Sequence, residues 1–399
     1  MKTVRTNPSH RRQHNGTRKY AGRHFVVAGA GGNIGSHLVP LLARWPDVAR
    51  LTLVDFDRYE AKNLRSQDIE PADIGKPKAE VQARRARRIN PQLEVVPIVD
   101  RLENVPYGRL RGDVLFGCLD SRAGRRSANE IAWRLNMKFI DAGVEASALL
   151  ARVNCHAPGA SQPCYECAWD ERDYAALTVR HACDAADPKT PPTNAPACLG
   201  ALAAALQALE ADKLLNGSAH VIAGQQVLIE VATNHHYVTC LRRNPDCRFD
   251  HTTWAITPLR ESPRDLTIGD AFGLGHFPKD NPGAALGFGG RALVQRLDCP
   301  GCGFTRRVFK LQERLKVHER FCPKCDRELL AAGFHVSTRL IRPQLAPGAA
   351  ARSLASLGLL AGDVISVGDG ATERFFELGA EAARAPRRRQ PTPLPRRKS

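Results

Sequence analysis

No stretch of this chain approaches the roughly 18 consecutive apolar residues that a membrane-spanning helix needs. The opening segment MKTVRTNPSHRRQHNGTRKY is basic and lacks the apolar run of a secretory leader. A cytoplasmic protein with no membrane contact is therefore expected. Acid is absent from both ends. Residues 1–20 carry six Lys or Arg and residues 384–399 carry seven, with no Asp or Glu in either. These ends supply 13 of the net +17 and leave +4 for everything between. Nucleic-acid binding beyond nonspecific tail contacts is thus not expected, and the tails read either as solvated arms or as contacts for one acidic partner. Between them, 43% hydrophobic and 25% charged residues in a 399-residue chain exclude wholesale disorder.

What is present is a rhythm of strand and helix. HFVVAGA (24–30) reads as a buried strand running into glycines, and SHLVPLLARW as a helix. RLTLVDFD (50–57) is a strand ending in carboxylates, and KAEVQARRARRIN (78–90) a helix stopped at Pro91. LEVVPIV, DVLFGCLD, a helix from Ser121 to about Asn136, and KFIDAGV (138–144) continue the pattern. Such alternation predicts an α/β fold with a Rossmann-like doubly wound sheet, whose ligand lies beyond the carboxyl ends of the strands. Further on come a strand at 148–156 and a long Pro/Asp/Cys-rich loop at about 157–195. An Ala/Leu helix at 197–217 and a hairpin from VLIEVATN and YVTCLRR follow. Residues 252–295 read as irregular. The expected divisions are a basic disordered arm at 1–20, a large domain at 21–251, an irregular segment plus metal ribbon at 252–330, a small module at 331–380 and a basic disordered tail at 381–399.

Gly29, Gly31, Gly32 and Gly35 lie between a strand and a helix, where a bare backbone and a helix N-terminus accept phosphate. Their spacing is Gly-x-Gly-Gly-x-x-Gly. Asp55 and Asp57 end the next strand, where a carboxylate bonds ribose hydroxyls. That much suits NAD as well as ATP. Lys62, Asn63, Arg65, Gln67, Lys76 and Lys78 follow, and then Asp120 with Arg125 and Asn129 on one helix face. Cations and a carboxylate around one phosphate loop suit a nucleoside triphosphate with Mg²⁺, and hydride transfer needs none of them.

The motifs GAGGNIGS, DFDRYEAKNLRSQ, GKPKAE, CLDSRAGRRSAN, PCYEC and ALQALEADKLLNG, in this order over about residues 20–250, resemble the ThiF/MoeB superfamily. These enzymes activate ubiquitin-like proteins and sulfur carriers. The resemblance implies ATP, Mg²⁺ and a small β-grasp protein whose terminal glycine is adenylated. It also implies a homodimer and, in the conjugating branch, an E2-like partner, as in a bacterial antiphage operon. It assigns ribose to Asp55, phosphate to Lys78, Mg²⁺ to Asp120, and nucleotide contacts to Asn63 and Gln67. Arg125 and Asn129 match its Asp-Asn-x-x-x-Arg-x-x-x-Asn pattern, with Ser121 in place of the first Asn. The motif's Arg falls on Ser66, with Arg65 one place earlier, and the glycine loop is one residue longer than usual.

Twelve cysteines without an export signal point to metal before disulfides. Cys299, Cys302, Cys322 and Cys325, two Cys-x-x-Cys pairs 19 residues apart, fit a structural Zn²⁺ ribbon. Cys164 and Cys167 lack a second pair of their own type. The resemblance points to the RRNPDCRFDH segment for it, and Cys247 and His251 are the donors there. For a catalytic thiolate, Cys183 has Arg180 and His181 beside it, and the resemblance places a cysteine here. Cys198, at the start of the Ala/Leu helix, is the alternative. Cys118, Cys155 and Cys240 read as core. The expected function is adenylation of a ubiquitin-like protein followed by a thioester on Cys183. The alternatives are sulfur-carrier activation, or a zinc-ribbon nucleic-acid-binding protein on a Rossmann scaffold.

Overall fold

A computed structural model describes residues 22–46, 48–177, 195–277, 281, 283–331 and 333–380. Within these the chain forms two units, residues 22–105 with 110–254, and residues 106–109 with 255–380. No helix among the described residues is long and apolar enough to cross a membrane.

The first unit opens with β1 (Arg23–Ala28), α1 (Asn33–Ala43), β2 (Val48–Val54), α2 (Lys78–Ile89), β3 (Glu94–Ile98), β4 (Val114–Gly117), α3 (Arg122–Arg134) and β5 (Lys138–Glu145). It closes with β6 (Leu150–His156), the short α4 (Glu171–Ala176), α5 (Ala197–Leu215), β7 (Gln225–Glu230) and β8 (His235–Cys240). One sheet runs β3-β2-β1-β4-β5-β6-β7-β8. It is parallel from β3 to β5 and antiparallel beyond. β1 is central. Val26 pairs with Thr52 on one side and Leu115 on the other, and Phe25 to Ala28 are fully buried. This explains its unbroken apolar run, since a central parallel strand is covered on both faces. Its core includes Leu38 and Leu42 of α1, Ala203 and Ala204 of α5, and Phe116 of β4. The strand order reverses between β1 and β4, and in such a sheet a crevice opens beyond the carboxyl ends of the strands at that point.

β8 is the sheet's edge, and all six of its residues are exposed. Cys240 is therefore on the surface, not in the core. Cys118 and Cys155 are buried. Burial drives both thiols up, Cys155 to about 12, so neither supplies a thiolate.

The second unit holds β9 (Ile256–Pro258), α6 (Ile268–Gly273), β10 (Ala285–Gly287), β11 (Leu293–Asp298), β12 (Thr305–Leu311), α7 (Val317–Arg320), β13 (Leu330–Ala331), β14 (Val336–Ser337), β15 (Arg339–Ile341), β16 (Val364–Gly368) and β17 (Glu373–Glu377). Residues 252–295 are thus not irregular throughout. α6 is fixed by a capping box in which Thr267 Oγ1 accepts from Asp270 N–H at 3.1 Å and the Asp270 carboxylate accepts from Thr267 N–H at 3.0 Å. One sheet runs β15-β10-β16-β17-β9, drawing strands from both sides of residue 330. The ribbon of β11 to β14 is inserted between β10 and β15.

Candidate functional site: a glycine cradle and two thiolate clusters

The crevice at the end of β1 is shaped by missing side chains. Gly29 sits at φ +78°, and a Cβ there would lie 2.4 Å from the Cys118 carbonyl oxygen. A Cβ on Gly35 would lie 2.1 Å from the Gly29 oxygen. The turn can only close with glycine at both places. Gly35→Ala is accordingly expected to destabilise the chain by about 3 kcal/mol or more, because the atoms its Cβ would meet, in Gly29 and Ala30, are all backbone. A urea melt checks this, and an unchanged midpoint would contradict the geometry.

α1 begins at Gly32 with no side-chain cap and no acid in its first turn. Its leading N–H groups have no partner within the helix, and the helix dipole leaves them partially positive. Asp55 faces them from the end of β2, 7% exposed. Its carboxylate accepts from Gly31 N–H at 2.8 Å and from Asp57 N–H at 3.0 Å. Burial pushes this carboxyl upward, and the Lys78 ammonium and the two N–H donors pull it back. One lone pair on each oxygen remains for further donors.

Lys78 opens α2 and lies across the loop, its Cβ 2.3 Å from where a Gly31 Cβ would be. Its Nζ is 3.2 Å from Asp57 Oδ2 and 5.7 Å from the Tyr59 ring centre. Its side chain is only 9% exposed. Tyr59 is held in turn by Gln82, whose Nε2 donates to the phenol at 2.8 Å. The loop, Asp55, Asp57 and Lys78 thus meet at one place. Asp120, two residues beyond Cys118, is exposed near the same turn.

Other expected residues sit differently. Asn63 caps a short turn, its Oδ1 accepting from Glu60 N–H at 2.8 Å. The buried Gln67 Oε1 has no hydrogen-bond partner. This segment is tied to α1 where Ser36 Oγ accepts from Asp68 N–H at 3.0 Å. Arg65 is exposed at the turn's end. Arg125 is engaged inside the protein in this arrangement. Its Nε donates to Asp141 at 3.1 Å and its Nη2 to the Ala142 carbonyl at 3.2 Å. Asp141 is fully buried and also pairs with Arg152 at 3.1 Å. Asn129 is likewise structural, its Oδ1 accepting from Tyr165 N–H at 3.0 Å. Asp141 was missed from sequence, although a lone acid inside the apolar run KFIDAGV was the signal. Cys183, with Arg180 and His181, lies outside the described residues. Cys198 is exposed in the first turn of α5.

Two sets of four donors converge elsewhere. In the first unit Cys164, Cys167, Cys247 and His251 have all ligand atoms within 4.8 Å of one another. Cys164 Sγ is 3.8 Å from Cys247 Sγ, and Cys167 Sγ is 3.2 Å from His251 Nε2. The RRNPDCRFDH segment is fastened to α3. Arg134 pairs with Asp250 and donates to the Thr252 carbonyl at 3.1 Å, while Trp133 meets the His251 ring edge-on at 5.0 Å. In the ribbon, Cys299–Cys325, Cys302–Cys322 and Cys302–Cys325 sulfurs are 3.4, 3.5 and 3.7 Å apart. A zinc tetrahedron with ~2.3 Å bonds has edges of about 3.8 Å, so both sets fit Zn²⁺ with small adjustment. The two ribbon knuckles are alike. Gly303 (φ +71°) and Asp326 (φ +56°) each follow the second cysteine, and Gly and Asp both tolerate that left-handed turn. Beneath them Leu297, Leu315 and Leu329 form a core too small to hold without a staple.

The family model for "ThiF family" matches residues 9–249. The sulfur carrier protein ThiS adenylyltransferase of Escherichia coli is 28% identical over 235 residues, 58% of this chain and 87% of that protein. The NEDD8-activating enzyme E1 catalytic subunit of Saccharomyces cerevisiae is 34% identical over 156 residues, 37% of this chain and 51% of its own length. The crystal structure of E. coli MccB with ATP shares 24% identity, with a TM-score of 0.48 over 58% of this chain and 66% of that one. The matched stretch takes in the glycine loop, Asp55, Lys78, Asp120 and the Cys164/Cys167 pair. The chain belongs to the ThiF family, the family of E1-like adenylyltransferases.

Proposed function

We propose that the chain uses ATP to adenylate the C-terminal glycine of a small ubiquitin-like, β-grasp protein and then takes the acyl group onto Cys183, in a prokaryotic conjugation pathway. The observation that carries this is the uncapped, acid-free start of α1 facing Lys78 across a loop that only glycine can form. Phosphate charge is met there by backbone N–H groups and one ammonium held ready by Asp57. The remaining acceptor sites of Asp55 suit ribose hydroxyls.

In the first step the carrier's carboxylate oxygen attacks the α-phosphorus, and the bond to the β-phosphate breaks, releasing pyrophosphate. Lys78 and the α1 turn hold the phosphates, so their contribution is positioning and electrostatics. Exposed Asp120 and half-exposed Asp57 are donors of the kind Mg²⁺ takes together with phosphate and water. When bound there, the ion would offset charge on the leaving pyrophosphate. In the second step the Cys183 thiolate attacks the acyl carbon and AMP departs. An E2-like protein as acceptor and a homodimeric enzyme belong to the same proposal.

Sulfur-carrier activation shares the first step, and the 87% coverage of the ThiS adenylyltransferase favours it as the second reading. The readings part at the thioester. With ATP and a glycine-ended carrier, wild-type protein should give a covalent adduct that thiol reagents cleave. Cys183→Ala should lose it and retain pyrophosphate exchange. An undiminished adduct in Cys183→Ala would exclude that residue and turn attention to Cys198.

A further inference from the structure

The glycine loop is one residue longer than Gly-x-Gly-Gly-x-Gly. Of the two residues between Gly32 and Gly35, Ile34 is buried in the core. The other, Asn33, reaches across to a different helix. Its Nδ2 donates to the Ala195 carbonyl at 3.0 Å and lies 3.4 Å from the Pro196 carbonyl. Its Oδ1 is buried with no partner, and a Cβ on Gly200 would sit 2.0 Å from it. The carboxamide therefore hydrogen-bonds the start of α1 to the start of α5, two helices that also pack in one core. Asn33 also binds backwards. Its own carbonyl accepts from His37 Nδ1 at 2.7 Å and from Ser36 Oγ at 3.4 Å, the hydroxyl that holds Asp68.

The α5 start has neither a side-chain cap nor a first-turn acid, as is true of α1. Two partially positive helix ends are thus held together against their mutual repulsion. An anion at the α1 turn lowers that repulsion, so anion binding and the integrity of the first α5 turn must favour each other. We infer that Asn33 is a positioning residue that couples the phosphate-facing turn of α1 to the first turn of α5. The nucleotide arm of this inference rests on the adenylation reading; the contact itself does not.

Hydrogen–deuterium exchange at Leu199 and Gly200 reads the coupling, since both amides donate to the Pro196 carbonyl, at 3.1 and 3.3 Å. In the full-length wild-type chain, saturating ATP with Mg²⁺ should slow these two amides by about fivefold or more. In Asn33→Ala they should exchange faster before nucleotide is added. ATP should still raise that variant's melting temperature, yet slow the two amides less than about twofold. Gly200→Ala, whose Cβ would lie 2.0 Å from the carboxamide oxygen and 2.9 Å from the Asn33 carbonyl oxygen, breaks the same contact from the α5 side, should lose the same ATP effect, and carries the test if Asn33→Ala does not fold. Equal slowing in wild type and variant, or unchanged exchange before nucleotide, would overturn the inference. A wild-type chain whose melting temperature ignores ATP would mean instead that the adenylation reading has failed. The nucleotide-free comparison then decides the coupling by itself, faster exchange in Asn33→Ala upholding it and equal exchange refuting it.

Discussion

Replacing Lys78 with alanine is expected to cut ATP–pyrophosphate exchange by about 10²–10³-fold while leaving the fold intact, the loss typical for one preorganised electrostatic group. The fold should survive because the backbone of Lys78 still donates to the Asp57 carbonyl at 2.9 Å and still starts α2. Asp57 is about half exposed, so water replaces its lost partner. Lys78→Arg should not rescue the rate. The ammonium occupies a narrow seat between Asp57 and the Tyr59 ring, and a planar guanidinium has a different shape and reach. Exchange kinetics beside a circular-dichroism spectrum check both parts. Wild-type exchange in Lys78→Ala would remove the lysine from the mechanism.

Metal supplies the second large effect. Two complete donor sets predict two zinc ions per chain. Cys322→Ser should bring the content down by one and unfold the ribbon, whose small core depends on the ion. Structural zinc contributes on the order of 10 kcal/mol to modules of this size. Cys164→Ser should also remove one ion, but here the surrounding sheet persists and the loosened part is the 247–252 segment on α3. Elemental analysis of the three proteins separates the sites. A wild-type value near one would leave the ribbon as the sole zinc site.

That the glycine loop, Asp55 and Lys78 meet at one place was legible in the sequence because their placement is local. The Gly29–Gly35 loop, Asp55 and Lys78 each follow directly from a strand or open a helix, so a βαβ rhythm was enough to bring them together. The ribbon was legible for the same reason, its ligands coming in tight pairs. The pairing of Arg125 with Asp141 was not legible because Asp141 comes from a neighbouring strand, and the buried ion pair depends on sheet order. Cys240 was misplaced because apolar alternation cannot distinguish an edge strand from an inner one. The second unit was the least legible. Strands of three to five residues carry too little periodicity to read, and β9 pairs with β17, more than 110 residues away. Pairings that distant leave little local trace.

The proposed activity requires the crevice to take a triphosphate. Equilibrium titration of the purified wild-type chain with ATP and Mg²⁺, and in parallel with NAD, tests this most directly. Saturable ATP binding at roughly micromolar to millimolar concentration is expected, lost in Gly35→Ala, with no binding of NAD. Saturable NAD binding with no response to ATP would contradict that activity.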